Sequence, residues 1–318
     1  MARLLFITST RIGDAVLSTA ALNYARETFR ADKVTIACGA LAAPLFRAEP
    51  GLEALHIITQ QKNGGHWFKL YNELKAAGPF DVAVDIRGSL TTLFLPVKKR
   101  FIFRKRKDLH KLDEFAAMFG KDVKIQPKLR LDERAYSDAR AALPDDRPIL
   151  MLALGASNVS KSWPPERFEL LARALLEEDL KGARVVLIGS PAESEELNQP
   201  LAKRLNIRNV ETVDLAGKLD LLGAAALMQR AKLYIGNDTG PSHIAAAVGA
   251  PTLVLFGPSD ERFYGPRGPH ARAVRGELSP DDIKRAGYDR LVHYRSWMDD
   301  LKVETVLAEA RHMLKEKK

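Results

Sequence analysis

The sequence is poor in cysteine, in long apolar runs and in the familiar nucleotide fingerprints. Its 318 residues include one cysteine, Cys38. One thiol cannot form a disulfide within the chain, and cysteine-based zinc sites are excluded with it. Cys38 lies in the strand-like run KVTIACG, so a buried, unreactive thiol is expected. No stretch reaches the ~18 uninterrupted apolar residues that cross a bilayer. The opening MARLLFITSTRIGDA begins like a signal peptide, but Arg11 and Asp14 interrupt its apolar run, and a cytoplasmic soluble protein is expected. Neither G-x-G-x-x-G nor G-x-x-x-x-G-K-[ST] occurs, which disfavours a dinucleotide dehydrogenase and a P-loop NTPase. Without G-x-S-x-G the usual α/β-hydrolase is removed. H-E-x-x-H and the Asp-x-Asp that often holds a metal–diphosphate are absent too.

What is present is an ample core and an excess of positive charge. Hydrophobic residues make up 46% of the chain and the formal net charge is +9. The length suffices for two ordinary domains. The charge favours anionic partners: nucleic acid, acidic lipid or phosphorylated sugars. Part of the excess is local, because KKRFIFRKRK, Lys98 to Lys107, has seven basic residues in ten. Charged flanks of a solvated strand edge explain such a run, and so does a patch facing an anionic substrate or membrane surface. Interleaved glycines and aromatics of the RNA-binding kind are missing, so nucleic acid is not expected as a partner.

Strand-like and helix-like segments alternate. RLLFITS, KVTIACG, LHIITQ, FDVAVDIRG and KRFIFR read as strands; AVLSTAALNYARETF and HWFKLYNELKAAG have helical spacing. Residues 120–148 break this rhythm with a polar, proline-bearing stretch that ends in PDDRP, and the domain junction is placed at its end. The alternation then restarts with PILMLALGAS, a helix from PPERF, ARVVLIGS, a charged helix interrupted at Pro200, DLLGAAALMQRA, KLYIGND, GPSHIAAAVG and PTLVLFG. An amphipathic helix closes the chain. The expectation is an α/β protein of two Rossmann-like, doubly wound parallel-sheet domains, residues 1–147 and 148–318, with the terminal helix able to pack back on the first. Ligands of such folds bind at the carboxyl ends of the strands, here in a central cleft between the domains.

Four loops after predicted strands carry candidate chemistry. In TSTRIGDAV, Gly13 and Asp14 stand where the first strand hands over to the first helix. Asp14 suits an N-cap, or a carboxylate that takes a proton from a bound hydroxyl. In LGASNVSKSWPPERF, Ser157, Asn158, Ser160 and Lys161 offer donors to a diphosphate just before a helix, while Trp163 is read as packing. In LIGSPAESEE, Gly189 ends a strand and Glu193 either complements a helix dipole or accepts hydrogen bonds from a ribose diol. In GNDTGPSHIAAAVG, Asp238 follows a strand, Thr239 is placed to cap, Gly240 permits close approach and His243 lies in the first helical turn. The Ala-rich part is ordinary sheet packing. The group Asp-Thr-Gly with His is not explained by packing, and an oxyanion or phosphate is its fitting guest.

The segments RIGDAVLSTAAL, VDIRG, LHKLDEF, KSWPPERFELLARAL, VLIGSPAE, DLAGKLDL and IGNDTGPSHIAAAVGAPTLVLFGPSD together resemble glycosyltransferase family 9, the heptosyltransferase family of lipopolysaccharide core assembly. They follow the family's order along nearly the whole chain. One local departure is Trp297 before Met298, where many members carry a cysteine. The resemblance implies a GT-B fold and inverting transfer from a nucleotide sugar, by default ADP-heptose, to a lipid A–core acceptor. It implies Asp14 as general base, Lys161 with Ser157 nearby at the diphosphate, Glu193 at the ribose, and Asp238, Thr239 and Gly240, followed by His243, as the donor loop. Lysine and helix amides would take the place of a metal, so no metal or other cofactor is expected. The basic run would hold the protein peripherally at the anionic cytoplasmic face of the inner membrane. Competing readings are the same machinery with another nucleotide sugar, such as an N-acetylhexosamine donor, a binding module without transfer, and a sugar-nucleotide isomerase.

Overall fold

The computed structural model describes residues 2–59, 64–106, 108–156, 158–289 and 295–316. Ser157 and Lys107 therefore lie outside the described residues. The chain divides into two compact units, Met1–Arg130 and Leu131–Lys318.

In the first unit, β1 (Ala2–Ile7), α1 (Ile12–Thr28), β2 (Ala31–Cys38), β3 (Leu52–Ile57), α2 (Gly65–Ala76), β4 (Phe80–Asp85), β5 (Val97–Ile102) and α3 (Lys111–Ala116) follow in turn. The strands pair in parallel in the order β3-β2-β1-β4-β5. A central parallel strand is covered on both faces, which demands a continuous apolar run. Leu4, Leu5, Phe6 and Ile7 of β1 supply it and are fully buried. Helix α1 buries Ala15, Ala20, Ala21 and Ala25 beside Val16, Leu17 and Leu22, and small side chains let it approach the sheet closely. Cys38 is buried and its thiol is pushed up to about 12 by burial, as expected of an inert core residue.

The second unit holds α4 (Glu133–Ala142), β6 (Ile149–Ala153), α5 (Pro165–Glu178), β7 (Arg184–Leu187), α6 (Pro191–Glu193), α7 (Gln199–Ile207), β8 (Thr212–Asp214), α8 (Leu221–Gln229), β9 (Ala231–Asn237), α9 (Gly240–Ala247), β10 (Thr252–Phe256), α10 (Glu261–Tyr264), β11 (Ala271–Arg275), α11 (Pro280–Arg285) and α12 (Val303–Glu316). Its parallel sheet runs β11-β10-β9-β6-β7-β8. Numbered within the unit this is the 3-2-1-4-5-6 Rossmann order, and the first unit has the same order without the last strand. The strand order reverses between β1 and β4 in one unit and between β6 and β9 in the other. Ligands of open α/β sheets bind at the carboxyl ends of such strands.

Several sequence expectations need correction. The division falls at residues 130/131 rather than 147/148. Helix α4 belongs to the second unit because Ala135 and Ala139 are buried and the helix packs on α8. Arg230, at the end of α8, donates from Nη1 to Ala139 O (3.3 Å) and Leu143 O (2.7 Å). With alanine as its apolar face, α4 reads as polar linker in sequence. The terminal helix α12 packs on α5 of its own unit and places Val306, Ala310 and Met313 in the second unit's core. Pro200 does not interrupt its helix. It sits in the first turn of α7, and the irregularity is a π-helical turn over Ser194–Asn198 just before it. A proline lacks the N–H that a preceding α-turn needs, so the bonding pattern widens upstream of it.

Around Leu301 the second unit ties its last helix to its sheet. Leu301 is fully buried, and its carbonyl accepts from Trp163 Nε1 (2.8 Å) and Arg167 Nη1 (2.7 Å). Leu301→Ala keeps that carbonyl but empties a core position. It is expected to destabilise the second unit by about 2–5 kcal/mol, read as a lower urea midpoint for that unit.

Candidate functional site

In the second unit the exit loops of β6 and β9 are held together by one buried side-chain amide. Asn237, the last residue of β9, is fully buried. Its Nδ2 donates to Leu154 O (2.7 Å) and Gly155 O (3.4 Å), and its Oδ1 accepts from Trp163 N (3.1 Å). The loop between β6 and α5 is thus clamped at both ends against the end of β9. Trp163 is fully buried and edge-on to Phe168, the packing role its sequence context suggests. Inside the clamped loop, Asn158 caps a 3-10 turn over Val159–Lys161 by accepting from Ser160 N. Ser160 O accepts from Trp297 N (3.1 Å), so the tryptophan that departs from the family pattern braces this turn through its backbone.

The turn delivers Lys161 to the β9 exit, where its Nζ donates to Asp238 Oδ2 at 2.8 Å. His243 Nε2 stands 3.8 Å from Asp238 Oδ1. Burial pushes the Asp238 carboxyl up, but the charges of Lys161 and His243 and hydrogen bonds from Lys161 and Ser259 outweigh it. The group is held below the usual carboxylate range. Thr239 occupies the N-cap position of α9, but its hydroxyl donates back to Asn237 O (3.3 Å). Ser242 Oγ donates to the same carbonyl (2.6 Å). No side chain caps α9, whose first two residues are Gly240 and Pro241. Its N-terminal amides are therefore left to an outside acceptor, next to a lysine.

Glu193 reaches this region by a route its sequence does not reveal. It is the third residue of a capping box: its Oε2 accepts from Ser190 N (2.6 Å), and its own amide donates to Ser190 Oγ (3.3 Å). The dipole-complementing role is thus realised. The same carboxylate also lies against the exit of β6. A β-carbon on Gly155 would stand 1.8 Å from Glu193 Oε1, and one on Gly189 2.6 Å from Oε2. Two glycines at the ends of neighbouring strands make the space that Glu193 fills. Lys161, Glu193, Asp238, Thr239, Gly240 and His243 are thereby gathered around the exits of β6, β7 and β9.

In the first unit, Asp14 does not act as an N-cap. Helix α1 starts at Ile12 with Arg11 as its cap residue, so Gly13 and Asp14 lie in its first turn. Asp14 is half-buried, and its carboxylate has no hydrogen-bond or ion-pair partner among the described residues. At the exit of β4, the strand paired with β1, is a residue sequence reasoning left without a role. Asp85 is fully buried; it accepts from Arg87 N (3.0 Å), Ser89 N (3.0 Å) and Ser89 Oγ (2.7 Å). Burial pushes its carboxyl up against those hydrogen bonds. Asp85 therefore shapes the loop that presents Arg87, whose guanidinium lies 5.1 Å from the centre of the Trp67 ring. Asn237 was missed likewise. The only signal in the sequence for either is a polar residue ending an apolar strand run, GND and VDIRG.

Asn237→Ala leaves the buried Trp163 N–H and Leu154 carbonyl unpaired. It is expected to cost about 1–3 kcal/mol of stability in urea unfolding. Asp238 adds a pH dependence whose sign follows from its depressed folded-state value. Its contribution is present above the unfolded-state carboxylate value and is lost as pH falls through the folded one. Thermal unfolding followed from about pH 7 to about pH 3 should lose less stability in Asp238→Asn than in the natural protein.

The chain is similar to known proteins in sequence and in fold. The sequence profile of glycosyltransferase family 9 (heptosyltransferase) matches residues 109–290, more than half of the chain. Lipopolysaccharide heptosyltransferase 2 of Escherichia coli K12 is 30% identical over 60% of this chain and 54% of its own length. Lipooligosaccharide heptosyltransferase 2 of Campylobacter jejuni is 24% identical over 96% of both chains. The matched part spans about half the length of the first of these relatives. The solved structure of E. coli ADP-heptose LPS heptosyltransferase II superposes with a TM-score of 0.78 over 99% of both chains, at 22% identity. The two Rossmann-like units are those of the GT-B fold, as the sequence motifs imply. This chain belongs to glycosyltransferase family 9.

Proposed function

We propose that this protein transfers heptose from an ADP-heptose-like nucleotide sugar to the growing lipopolysaccharide core, by an inverting displacement that needs no metal. The observation that carries this reading is the meeting of Lys161 with the Asp238-Thr239-Gly240 loop at the strand-order reversal of the second unit. A lysine beside an uncapped helix N-terminus suits a diphosphate leaving group. The names of the relatives supply the sugar and the acceptor: they are lipo(poly)saccharide heptosyltransferases, one of them an ADP-heptose LPS heptosyltransferase of solved structure.

In this mechanism the unpaired Asp14 carboxylate accepts the proton of an acceptor hydroxyl. The hydroxyl oxygen bonds to the anomeric carbon while the bond from that carbon to the diphosphate oxygen breaks on the opposite face. Lys161, Thr239 and the α9 amides receive the charge that develops on the departing nucleoside diphosphate. Lys161 is already neutralised by Asp238, so the incoming diphosphate shares a lysine whose position Asp238 maintains. Glu193, whose carboxylate sits in the space left by the glycines at 155 and 189, accepts from the ribose hydroxyls. A lipid A–core acceptor is membrane-borne, so the enzyme works peripherally at the cytoplasmic face of the inner membrane. Among the described residues no helix is long and apolar enough to cross it.

Asp14→Asn should lower turnover roughly 10²–10⁴-fold while donor binding, read by calorimetry, stays near that of the natural protein. Full turnover in that variant would remove Asp14 from the role of base. A thermal-shift panel tests the donor, since a ligand that binds the folded state raises its melting temperature. ADP-heptose should give the largest shift; a larger one with a UDP-N-acetylhexosamine would assign the other donor.

A further inference from the structure

The basic run of the first unit is not one uniform patch. Lys98 pairs with Asp81 (2.7 Å), and Lys99 lies over the rings of Phe29 and Phe101. Arg100 donates to Thr92 O (2.8 Å) and Leu95 O (2.7 Å). These three belong to the edge strand β5 and its packing. Arg104, Lys105 and Arg106, beyond the end of β5, are exposed, and their side chains have no partner among the described residues. Among the described residues of the run, the unpaired cations therefore lie beyond the carboxyl end of β5.

The same region exposes large apolar side chains. The crossover from β4 to β5 has no α-helix; a single 3-10 turn over Thr91–Phe94 takes its place. This segment leaves Leu90, Leu93 and Phe94 exposed at 54%, 51% and 74%. Leu90 does so with a positive φ of 59°, a conformation unfavourable for a leucine and held by the Ser89–Asp85 bonds just before it. The turn packs on α2, which exposes Phe68 at 70%. Two contacts fix the neighbourhood. Arg87 of the crossover lies over Trp67 of α2, and a β-carbon on Gly88 would stand 3.1 Å from Phe103 O, immediately before Arg104. Apolar tips on a turn and a helix, in a crossover whose Gly88 abuts the backbone that leads into the unpaired Arg104–Arg106 run, combine the two requirements of a bilayer-surface anchor: apolar area to insert and positive charge for anionic headgroups.

We propose that Phe68, Leu90, Leu93 and Phe94 insert into the interfacial layer of an anionic bilayer, with Arg104, Lys105 and Arg106 on its headgroups. The inference rests on the membrane-borne acceptor proposed above and names the side chains that bring the enzyme to it. Binding is by insertion as well as by charge, so it differs from attraction by the basic run alone.

The test is co-sedimentation of the full chain, without donor or acceptor, with vesicles of phosphatidylethanolamine and phosphatidylglycerol. Binding should persist in part at about 0.5 M salt, where purely electrostatic attraction is screened. Leu93→Ser with Phe94→Ser, both already exposed and so harmless to folding, should weaken partitioning roughly tenfold or more. Arg104→Glu with Lys105→Glu should weaken it mainly at low salt. In Phe94→Trp, emission should shift to the blue when vesicles are added. Unchanged partitioning of the double serine variant, no shift in Phe94→Trp, or self-association through this face without vesicles would each overturn the proposal. Because no sugar nucleotide is present, the outcome is independent of whether the donor assignment holds.

Discussion

The candidate donor site depends on the buried amide of Asn237. A strand exit leaves backbone groups without ladder partners, and those of Leu154, Gly155 and Trp163 would be costly to bury unpaired. Asn237 offers both a donor and an acceptor and satisfies them on two sides at once. The loop after β6 can then close over the end of β9, and Lys161 arrives beside Asp238. An aspartate at this position could not do the same, because an ionised carboxylate only accepts. The proposed phosphate-binding character of the site follows from a neutral residue that touches no proposed ligand.

Charge in the site is arranged by the same principle. Asp238 is buried, and Lys161 and His243 beside it, with Ser259, hold its carboxyl below the usual carboxylate range. The pair fixes the lysine's position while lowering its net field, so the positive end of α9 complements it in attracting an anion. Glu193 shows how one side chain serves two purposes. Its carboxylate closes a capping box and also fills the space two glycines leave at the strand exits. Its role in the helix and its proposed role toward a ribose are therefore compatible, and the choice that sequence reasoning leaves open between them does not have to be made.

The two units share a topology and differ in what their strand exits present. The first shows an unpaired carboxylate at Asp14, a buried one at Asp85 and an arginine braced on Trp67. The second shows a lysine, a helix N-terminus and the Glu193 carboxylate against two glycines. This division suits a reaction in which one unit handles an acceptor hydroxyl and the other a nucleoside diphosphate. The first unit also lacks a helix between β4 and β5. The crossover that replaces it exposes apolar residues, in the chain's most basic neighbourhood.

The alternation of apolar runs and helical spacing determined two parallel α/β units, because a strand buried on both faces must be apolar throughout and its crossover helix must be amphipathic. The loop motifs pointed to the residues of the candidate site, since Gly, Pro, Thr and Asp at a strand exit leave few backbone conformations. Tertiary structure alone decided the partners. That Asn237 spans two loops, that Lys161 meets Asp238, and that Gly155 makes room for Glu193 are contacts between residues tens of positions apart, which no local pattern encodes. It also decided that α4 belongs to the second unit and α12 stays there, for an alanine face or a terminal amphipathic helix reveals only that it packs, not against what. Within the run from Lys98 to Lys107 the sequence determined the charge. Only the fold separated the cations bound to their own sheet from those left facing outward.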